Sequence, residues 1–204
     1  MIRIGIIDYK AGNAPSVFNA LKKIGVEAVL LAEPREAENV TALILPGVGS
    51  ARATMESLAE KNWIAALDDM VLKRGLPFLG ICVGMQILFD HSEEEDTDCF
   101  SWISGKVERF SPDKIRVPQM GWNGVNWRLE HPLLDGIDNP EYFYFVNSYY
   151  VKPEDDRLIF ATTDYGTDFC SAVVCRNIAA TQFHLEKSGE AGLRLLKNFT
   201  EWRV

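Results

Sequence analysis

The fold and the chemistry of this chain are decided by one short stretch, which reads Leu76-Pro77-Phe78-Leu79-Gly80-Ile81-Cys82-Val83-Gly84-Met85-Gln86. Its apolar residues 76–79 predict a short buried strand. The Gly-x-Cys-x-Gly pattern that follows is typical of a nucleophile elbow, a tight turn between strand and helix that lifts Cys82 clear of the sheet. Glycines suit such a turn because its backbone is strained and leaves little room for Cβ atoms. The alternative is a buried cysteine without a catalytic role at a Gly-bounded strand end.

The elbow leads into a predicted helix that runs from residue 85 to residue 90 or beyond. A helix N-terminus carries partial positive charge, which favours a thiolate on Cys82. The backbone N–H groups there can also receive an oxyanion. The sequence therefore predicts a thiol nucleophile at the start of a helix.

Strand and helix patterns alternate on both sides of this stretch. Apolar and β-branched runs predict further strands at residues 2–7, 28–31, 42–45, 142–150, 159–163, 170–176 and 178–183. Helical spacing predicts helices at residues 16–24 and 189–202, and two more between residues 55 and 71. The acidic run 91–98 and residues 118–125 are predicted to be loops. This alternation predicts an α/β fold, with a mostly parallel, doubly wound central sheet flanked by helices.

Length and charge narrow the classes of protein that remain. The chain has 204 residues and a net charge of −8, so we expect one domain, 1–204, with no nucleic-acid or membrane partner. No apolar run approaches the roughly 20 residues of a membrane span, and the N-terminus reads as a strand rather than a signal peptide. We therefore expect a cytoplasmic protein. Four cysteines without a C-x-x-C pair indicate neither a zinc site nor a disulfide framework, and we expect no metal and no cofactor.

A thiol nucleophile needs a base, and the base needs a group that orients it. Of the three histidines, His91 and His131 are predicted to lie on the surface. His184 follows a buried strand, and Glu186 comes two residues later. In an extended segment both would project to one side, so the carboxylate could hold one imidazole nitrogen and aim the other at Cys82. The alternative is a structural histidine at a strand end, and the combination with Gly-x-Cys-x-Gly favours catalysis.

The turn Pro46-Gly47-Val48-Gly49 follows another predicted strand. It lacks the spacing of a P-loop and its Lys-Ser or Lys-Thr ending. It is either an ordinary Gly-rich turn or a backbone that presents an N–H group to an oxyanion. Asp8, Gly47 and Cys82 all follow strand ends, where ligands bind in doubly wound sheets.

Six motifs spread along the chain resemble those of class I glutamine amidotransferases, the triad glutaminase family. They are Asp8-Tyr9-x-x-Gly12-Asn13, Leu45-Pro46-Gly47-Val48-Gly49, Gly80-Ile81-Cys82-Val83-Gly84-Met85-Gln86, Val117-Pro118-x-x-Gly121-Trp122-Asn123, Tyr144-Phe145-Val146-x-Ser148-Tyr149 and Gln182-Phe183-His184-x-Glu186-Lys187-Ser188. The fourth and fifth motifs, together with the short length, resemble most the branch of glutaminase subunits that serve imidazole glycerol phosphate synthase in histidine biosynthesis. The resemblance also implies a smaller, mainly antiparallel β addition to the central sheet.

The resemblance implies a role for each matched residue. Cys82 would attack the side-chain amide of glutamine and form a glutamyl thioester, with His184 as its base and Glu186 orienting the imidazole. The remaining roles are an oxyanion hole at Val48 and Val83, glutamine contacts at Gly47, Gly49, Gln86, Ser148 and Tyr149, and a docking face at Asn13, Trp122, Tyr144 and Lys187. The implied partner is a (β/α)8-barrel cyclase subunit, which would receive the ammonia and form a heterodimer with this chain.

Three positions depart from the family's usual pattern, and they keep other functions open. Asn147 stands where the family usually has His, Leu185 where it has Pro, and Gln119 where it often has His. One alternative is a paralogous glutaminase that feeds ammonia to another synthetase, for example one that acts on a surface sugar. Another is a non-catalytic binding module on the same fold. A Cys-His hydrolase or peptidase of related fold has no support from Gln86 or from the fifth motif.

Overall fold

The parallel half of the fold occupies the first part of the chain. A computed structural model describes residues 3–10, 12–113 and 115–203. Its first elements are β1 (Ile4–Ile7), α1 (Ala14–Lys23), β2 (Ala28–Leu31), β3 (Ala42–Gly47), α2 (Ala51–Glu60), α3 (Trp63–Leu67), a π-helical turn (Asp68–Lys73), β4 (Phe78–Cys82) and α4 (Val83–Gln86). The four strands pair in parallel in the order β2-β1-β3-β4. Residue 2 of the first predicted strand lies outside the described residues.

The order of these strands explains where a ligand can bind. The chain moves from β1 outward to β2 and then returns past β1 to β3. Because crossovers between parallel strands are right-handed, α1 and the α2–α3 pair cover opposite faces of the sheet. Strands β1, β3 and β4 are buried along their whole length, as their continuous apolar sequences predict. The doubly wound, mostly parallel core is thus confirmed, and its carboxyl edge carries the predicted site.

The second half of the chain adds mainly antiparallel strands to this core. Its elements are β5 (His91–Ser92), β6 (Thr97–Asp98), β7 (Gly105–Arg109), β8 (Gln119–Trp127), β9 (Glu141–Asn147), β10 (Tyr149–Pro153), β11 (Ile159–Asp164), β12 (Asp168–Cys175), β13 (Ile178–Thr181) and α5 (Gly189–Glu201). Strand β13 pairs with β4 in parallel and with β12 antiparallel. It therefore joins the two halves, and it carries the chain back to the edge where Cys82 lies. The antiparallel addition is confirmed.

Strands β8 and β9 form a hairpin pair that departs from the sequence-based prediction. They pair antiparallel from Gln119 opposite Asn147 to Val125 opposite Glu141. The predicted loop at residues 118–125 is therefore wrong, because all but its first residue belong to β8. One face of the pair lies in the core, while Met120, Trp122 and Tyr142 on the other face are each more than half exposed.

Three local predictions fail wholly or in part, for physical reasons. Helix α4 begins at Val83 and ends at Gln86, because the chain turns back there to reach the β5–β6 hairpin. The acidic run is a solvated loop only in part, because its two ends pair in that hairpin and bury Ser92 and Thr97, while four of its five acidic residues stay exposed. The segment after His184 is a 3₁₀ turn, Leu185–Lys187, and not an extended strand.

The last helix closes the core from one side. Helix α5 buries Leu195, Leu196 and Phe199, and it packs against the 3₁₀ turn that follows His184. No helix in the described part of the chain is long and apolar enough to cross a membrane.

Candidate active site

The nucleophile elbow is built into the parallel half of the sheet. Cys82 ends β4 with φ 57° and ψ −112°, a backbone conformation that is strained for any residue other than glycine. A Cβ atom on Gly84 would collide with the carbonyl oxygen of Leu45, and one on Gly47 would lie 2.7 Å from the backbone nitrogen of Gly84. The glycines therefore let α4 rest directly on β3, and this close packing holds Cys82 in its strained conformation.

The predicted base lies beside the predicted carboxylate. Nδ1 of His184 is 2.9 Å from Oε1 of Glu186, and only 4% and 1% of these side chains are exposed. The contact exists although the segment is not extended, because the 3₁₀ turn folds Glu186 back under the imidazole. Leu185 is fully buried in this turn, so it anchors the segment where the family usually has a proline.

The electrostatics of this group couple the imidazole to the sulfur. Burial lowers the pKa of His184, but hydrogen bonds with Cys82 and Glu186 and the charges of both groups raise it to about 10. Burial raises the pKa of Glu186, but the hydrogen bond and the charge of His184 hold it below its usual range. At neutral pH the site therefore favours an ionised carboxylate on Glu186 and an imidazolium on His184 that is hydrogen-bonded to Cys82.

Two further side chains hold the base loop in place. The amide of Asn13 donates to Oε1 of Glu186 over 2.8 Å, the same oxygen that contacts His184. The hydroxyl of Ser188 donates to the carbonyl of His184 over 2.6 Å and accepts from the amide of Tyr144 over 2.9 Å. Asn13 is half-buried in this contact, and its place at the docking face stays a prediction.

A cavity of about 280 Å³ opens in front of the sulfur. The predicted residues that line it are Val48, Gly49, Cys82, Val83, Gln86, Ser148, Tyr149, His184 and Lys187, and it is completed by Glu94, Pro118, Val146 and Asn147. Val48 directly follows β3, where Gly47 pairs with Cys82, and Val83 is the first residue of α4. Both predicted oxyanion residues therefore flank the nucleophile. Gly47 lies beneath them, while Asn13, Trp122 and Tyr144 lie outside the cavity.

Some cavity residues were missed by the sequence analysis. Glu94 belongs to the acidic run, and only the β5–β6 hairpin brings its carboxylate over the site, where it accepts from the amide of Ala51 over 2.8 Å. Burial raises the pKa of Glu94, and the Ala51 N–H group opposes this rise. Gln182 lies next to the sulfur, with Nε2 3.6 Å from Sγ of Cys82. It stands in the His184 motif, so its position in the motif was the available signal.

Two of the three departures from the family pattern face each other. Gln119 on β8 pairs directly with Asn147 on β9, and both side chains are buried. Asn147 donates to the carbonyl of Tyr149 over 3.0 Å and lines the cavity. The amide of Gln119 has no hydrogen-bond partner among the described residues. The two replacements thus form one local change in the wall of the site.

A model of the family described as "Glutamine amidotransferase class-I" matches residues 5–202 of the chain. The match spans the elbow, the base loop and all the strands that join them. The chain belongs to the class I glutamine amidotransferase family. Solved structures agree at the level of the fold: a crystal structure titled glutamine amidotransferase shares 20% identity at a TM-score of 0.76 and covers 97% of each chain.

Other glutamine amidotransferases are much closer in sequence. A protein of Dehalococcoides mccartyi strain CBDB1, named imidazole glycerol phosphate synthase subunit HisH, is 49% identical over 96% of this chain and 95% of its own length. A protein of the same name from Neisseria meningitidis is 41% identical over 98% of this chain and 100% of its own length. Both relatives of this glutamine amidotransferase therefore carry the same name, and both match it along nearly its whole length.

Proposed function

We propose that this chain is the glutaminase subunit of an imidazole glycerol phosphate synthase. It hydrolyses glutamine to glutamate and ammonia, and it passes the ammonia to a (β/α)8-barrel cyclase subunit in histidine biosynthesis. The observation that carries the proposal is the set of HisH relatives at 41–49% identity, combined with a thiol, an imidazole and a carboxylate at one sheet edge. Its single domain works in the cytoplasm as half of a heterodimer.

The geometry supports a thioester mechanism. The thiolate of Cys82 attacks the carboxamide carbon, and the resulting oxyanion lies toward the N–H groups of Val48 and Val83. The C–N bond breaks as ammonia leaves with a proton from His184. Water then gives a proton to His184 and attacks the thioester, so that the C–S bond breaks and the thiolate returns with glutamate as product. Glu186 keeps the imidazole in place throughout.

The hydrogen bonds around Gln86 indicate which end of glutamine it holds. Its Nε2 donates to the carbonyl of Tyr149 over 3.3 Å and to Oε1 of Gln182 over 3.0 Å. Both N–H groups are thereby used, and only its carbonyl oxygen is left to meet a ligand. The carboxylate of Glu94 lines the same cavity. Two acceptors in one cavity suit the α-ammonium group of glutamine, which leaves Gly49, Ser148 and Tyr149 for the rest of the substrate.

The surface next to the base loop supports a partner at this edge. Met120, Trp122 and Tyr142 are 66%, 57% and 59% exposed on the outer face of the β8–β9 pair. Tyr144 joins this face, because its ring packs edge-on against Trp122 and lies 6.0 Å below Nζ of Lys187. Exposed aromatic residues next to a charged rim are typical anchors of a protein interface. Ammonia that leaves at this edge would be covered by the docked subunit.

The test compares glutamine hydrolysis by the chain alone with hydrolysis in the presence of the barrel subunit and its nucleotide ligand. We expect weak activity alone and a large gain with both additions, together with rescue of a histidine auxotroph. A paralogous glutaminase would hydrolyse glutamine but show neither gain nor rescue. A chain that releases no ammonia under any of these conditions would contradict the proposal altogether.

A further inference from the structure

Gln182 is the buried amide closest to the nucleophile, and the mechanism above leaves it without a role. Its side chain is fully buried directly after β13, and its backbone N–H donates to the carbonyl of Ser171 over 2.8 Å. Nε2 lies 3.6 Å from Sγ of Cys82, and Oε1 accepts from Gln86. A fully buried amide that touches the reacting sulfur is more than a packing element, because each polar atom there must find a partner.

The neighbouring hydrogen bonds fix which way this amide points. The carbonyl of Tyr149 can only accept, so the atom of Gln86 that faces it is Nε2. The same Nε2 contacts Gln182, and therefore the atom of Gln182 on that side is the oxygen. Its NH₂ group must then face the sulfur. The orientation follows from the network and does not depend on how the amide atoms are assigned.

We propose that Gln182 is a further catalytic residue, whose N–H group donates a hydrogen bond to the thiolate of Cys82. The inference rests on the proposed glutaminase function and deepens it. The bond stabilises the thiolate in the resting enzyme, since hydrogen bonds to a charged acceptor are about twice as strong as neutral ones. It also stabilises the same thiolate as the leaving group when water breaks the C–S bond of the thioester.

The two steps of the reaction respond in different ways to the loss of this bond. In thioester formation a weaker bond lowers the thiolate population but leaves a more nucleophilic sulfur, and these effects partly cancel. In thioester hydrolysis the leaving thiolate loses its donor without compensation. Removal of the N–H group therefore slows the second step more than the first, and the thioester accumulates.

Two variants of Gln182 separate the effect of its hydrogen-bond donor from the effect of its packing. Gln182→Glu keeps an oxygen that accepts from Gln86 but places a carboxylate beside the sulfur. Gln182→Leu removes both interactions at similar volume. The control is Thr181→Val at the neighbouring position, which deletes a buried hydrogen bond from the Thr181 hydroxyl to the carbonyl of Phe183 and removes no hydrogen bond to Cys82. If the leucine variant does not fold, an unchanged profile in the glutamate variant still overturns the inference.

The first measurement is the pH dependence of the alkylation of Cys82 by iodoacetamide, followed by peptide mass mapping. In both Gln182 variants we expect the profile to move to higher pH by about one unit, which is the size of a hydrogen bond to a charged group. The rate at neutral pH should fall only about threefold, because the sulfur becomes more nucleophilic as its pKa rises. Thr181→Val should keep the wild-type profile. Profiles that coincide in all four proteins would overturn the inference.

The second measurement is intact mass spectrometry after mixing with glutamine. The Gln182 variants should show a glutamyl adduct at a higher steady-state fraction than wild type, while an unchanged fraction would overturn the proposed leaving-group effect. The alkylation assay needs no glutamine. A wild-type chain without glutaminase activity would therefore defeat the proposed function, yet the profile would still report whether Gln182 bonds to the sulfur.

Discussion

The two sides of the active site are built in different ways. Cys82 ends a strand of the parallel core, where the glycines of the elbow let α4 rest on β3 and the backbone is held at φ 57°. His184 and Glu186 lie on a short turn, which is held by two hydrogen bonds to Tyr144 of β9 and by one from Asn13. The outer face of β9 and its neighbour β8 is exposed.

The two sides of the site therefore differ in how a partner at the surface can affect them. The nucleophile is fixed by close backbone packing that a partner at the surface cannot reach. The base turn is also packed closely, against α5, where a Cβ atom on Gly192 would collide with the carbonyl of Leu185. Unlike the elbow, however, it is bonded directly to β9, and the outer face of the β8–β9 pair is open to a partner. We therefore expect substitutions at the elbow to abolish folding or catalysis. Substitutions in the β8–β9 pair should instead change how strongly the partner raises the glutaminase activity.

The largest effect is expected at the nucleophile. Cys82→Ala removes the group that forms the thioester, so glutamine hydrolysis should fall by a factor of roughly 10⁴ or more. The assay is ammonia release with the barrel subunit present. Cys175→Ala is the matched control, because this thiol is free, half-buried and outside the cavity, and its activity should stay at the wild-type level. Substantial ammonia release by Cys82→Ala would show that the nucleophile has been misassigned.

The next effect is expected at the orienting carboxylate. Glu186→Gln removes a charge that helps to raise the pKa of His184 to about 10, and kcat should fall by a factor of about 10²–10³. The pH dependence of stability should change as well. Because His184 binds its proton more tightly when folded, its contribution to the free energy of unfolding is complete below about pH 6.5 and is lost as pH rises to about 10.

The contribution of the His184–Glu186 pair to the free energy of unfolding also has a lower pH limit, which the pKa of Glu186 sets. Its pKa is lowered in the folded chain, so its contribution is present above about pH 4.3 and is lost at more acidic pH. The difference in unfolding free energy between wild type and Glu186→Gln should thus be largest between about pH 4.5 and 6.5. Urea unfolding at several pH values measures it, with Glu190→Gln as an exposed control. A difference that grows toward pH 10 would contradict the coupling.

A substitution in the elbow itself should lower the stability of the folded chain. Gly84→Ala places a Cβ atom against the backbone carbonyl of Leu45, where no flexible side chain can give way. We expect a loss of about 2–3 kcal/mol in unfolding free energy, as for an overpacked core. Gly124→Ala is the control, because a Cβ atom there would meet only ordinary contacts with Tyr142. Equal stability of the two variants would contradict the close packing of α4 on β3.

The β1–α1 loop should have a smaller effect on chemistry. Asn13→Ala removes one hydrogen bond to the Glu186 carboxylate, so kcat should fall about tenfold with little change in KM. Asn123→Ala removes a similar amide bond, to the carbonyl of Asp164, outside the cavity. Steady-state kinetics of both variants without the partner separate a positioning role from a docking role. Normal activity of Asn13→Ala alone, with weak partner binding, would favour docking.

Substitutions on the exposed outer face of the β8–β9 pair should have the smallest effect on the stability and activity of the isolated chain. Trp122→Ala should change the unfolding free energy by no more than about 0.5 kcal/mol and leave basal hydrolysis nearly unchanged. Binding to the barrel subunit should weaken at least about tenfold, because a central aromatic anchor is lost. Leu129→Ala provides the control, since Leu129 is also an exposed apolar residue, at 48%, but lies outside the β8–β9 face. Equal binding of both variants would place the partner elsewhere.

The same contrast between the nucleophile side and the base side explains which features of the structure could be predicted from the sequence. Local sequence patterns are enough to predict a structure that the neighbouring residues determine by themselves. The Gly-x-Cys-x-Gly elbow and the buried strands around it were therefore predictable. Local patterns fail where distant segments meet. The β8–β9 pair, the β5–β6 hairpin and the positions of Glu94 and Gln182 depend on strand pairing across the sheet, which no local pattern contains. The contact of His184 with Glu186 was predicted for an extended backbone. In the structure a 3₁₀ turn brings the two side chains together instead.

The most direct test of the account is to trap the nucleophile. An electrophilic analogue of glutamine should modify Cys82 alone, as seen by mass mapping of all four cysteines, and an excess of glutamine should protect it. The same label should fall strongly in Glu186→Gln, because the imidazole is no longer held toward the sulfur. Modification of Cys99, Cys170 or Cys175 in place of Cys82, or labelling that glutamine does not slow, would contradict the account.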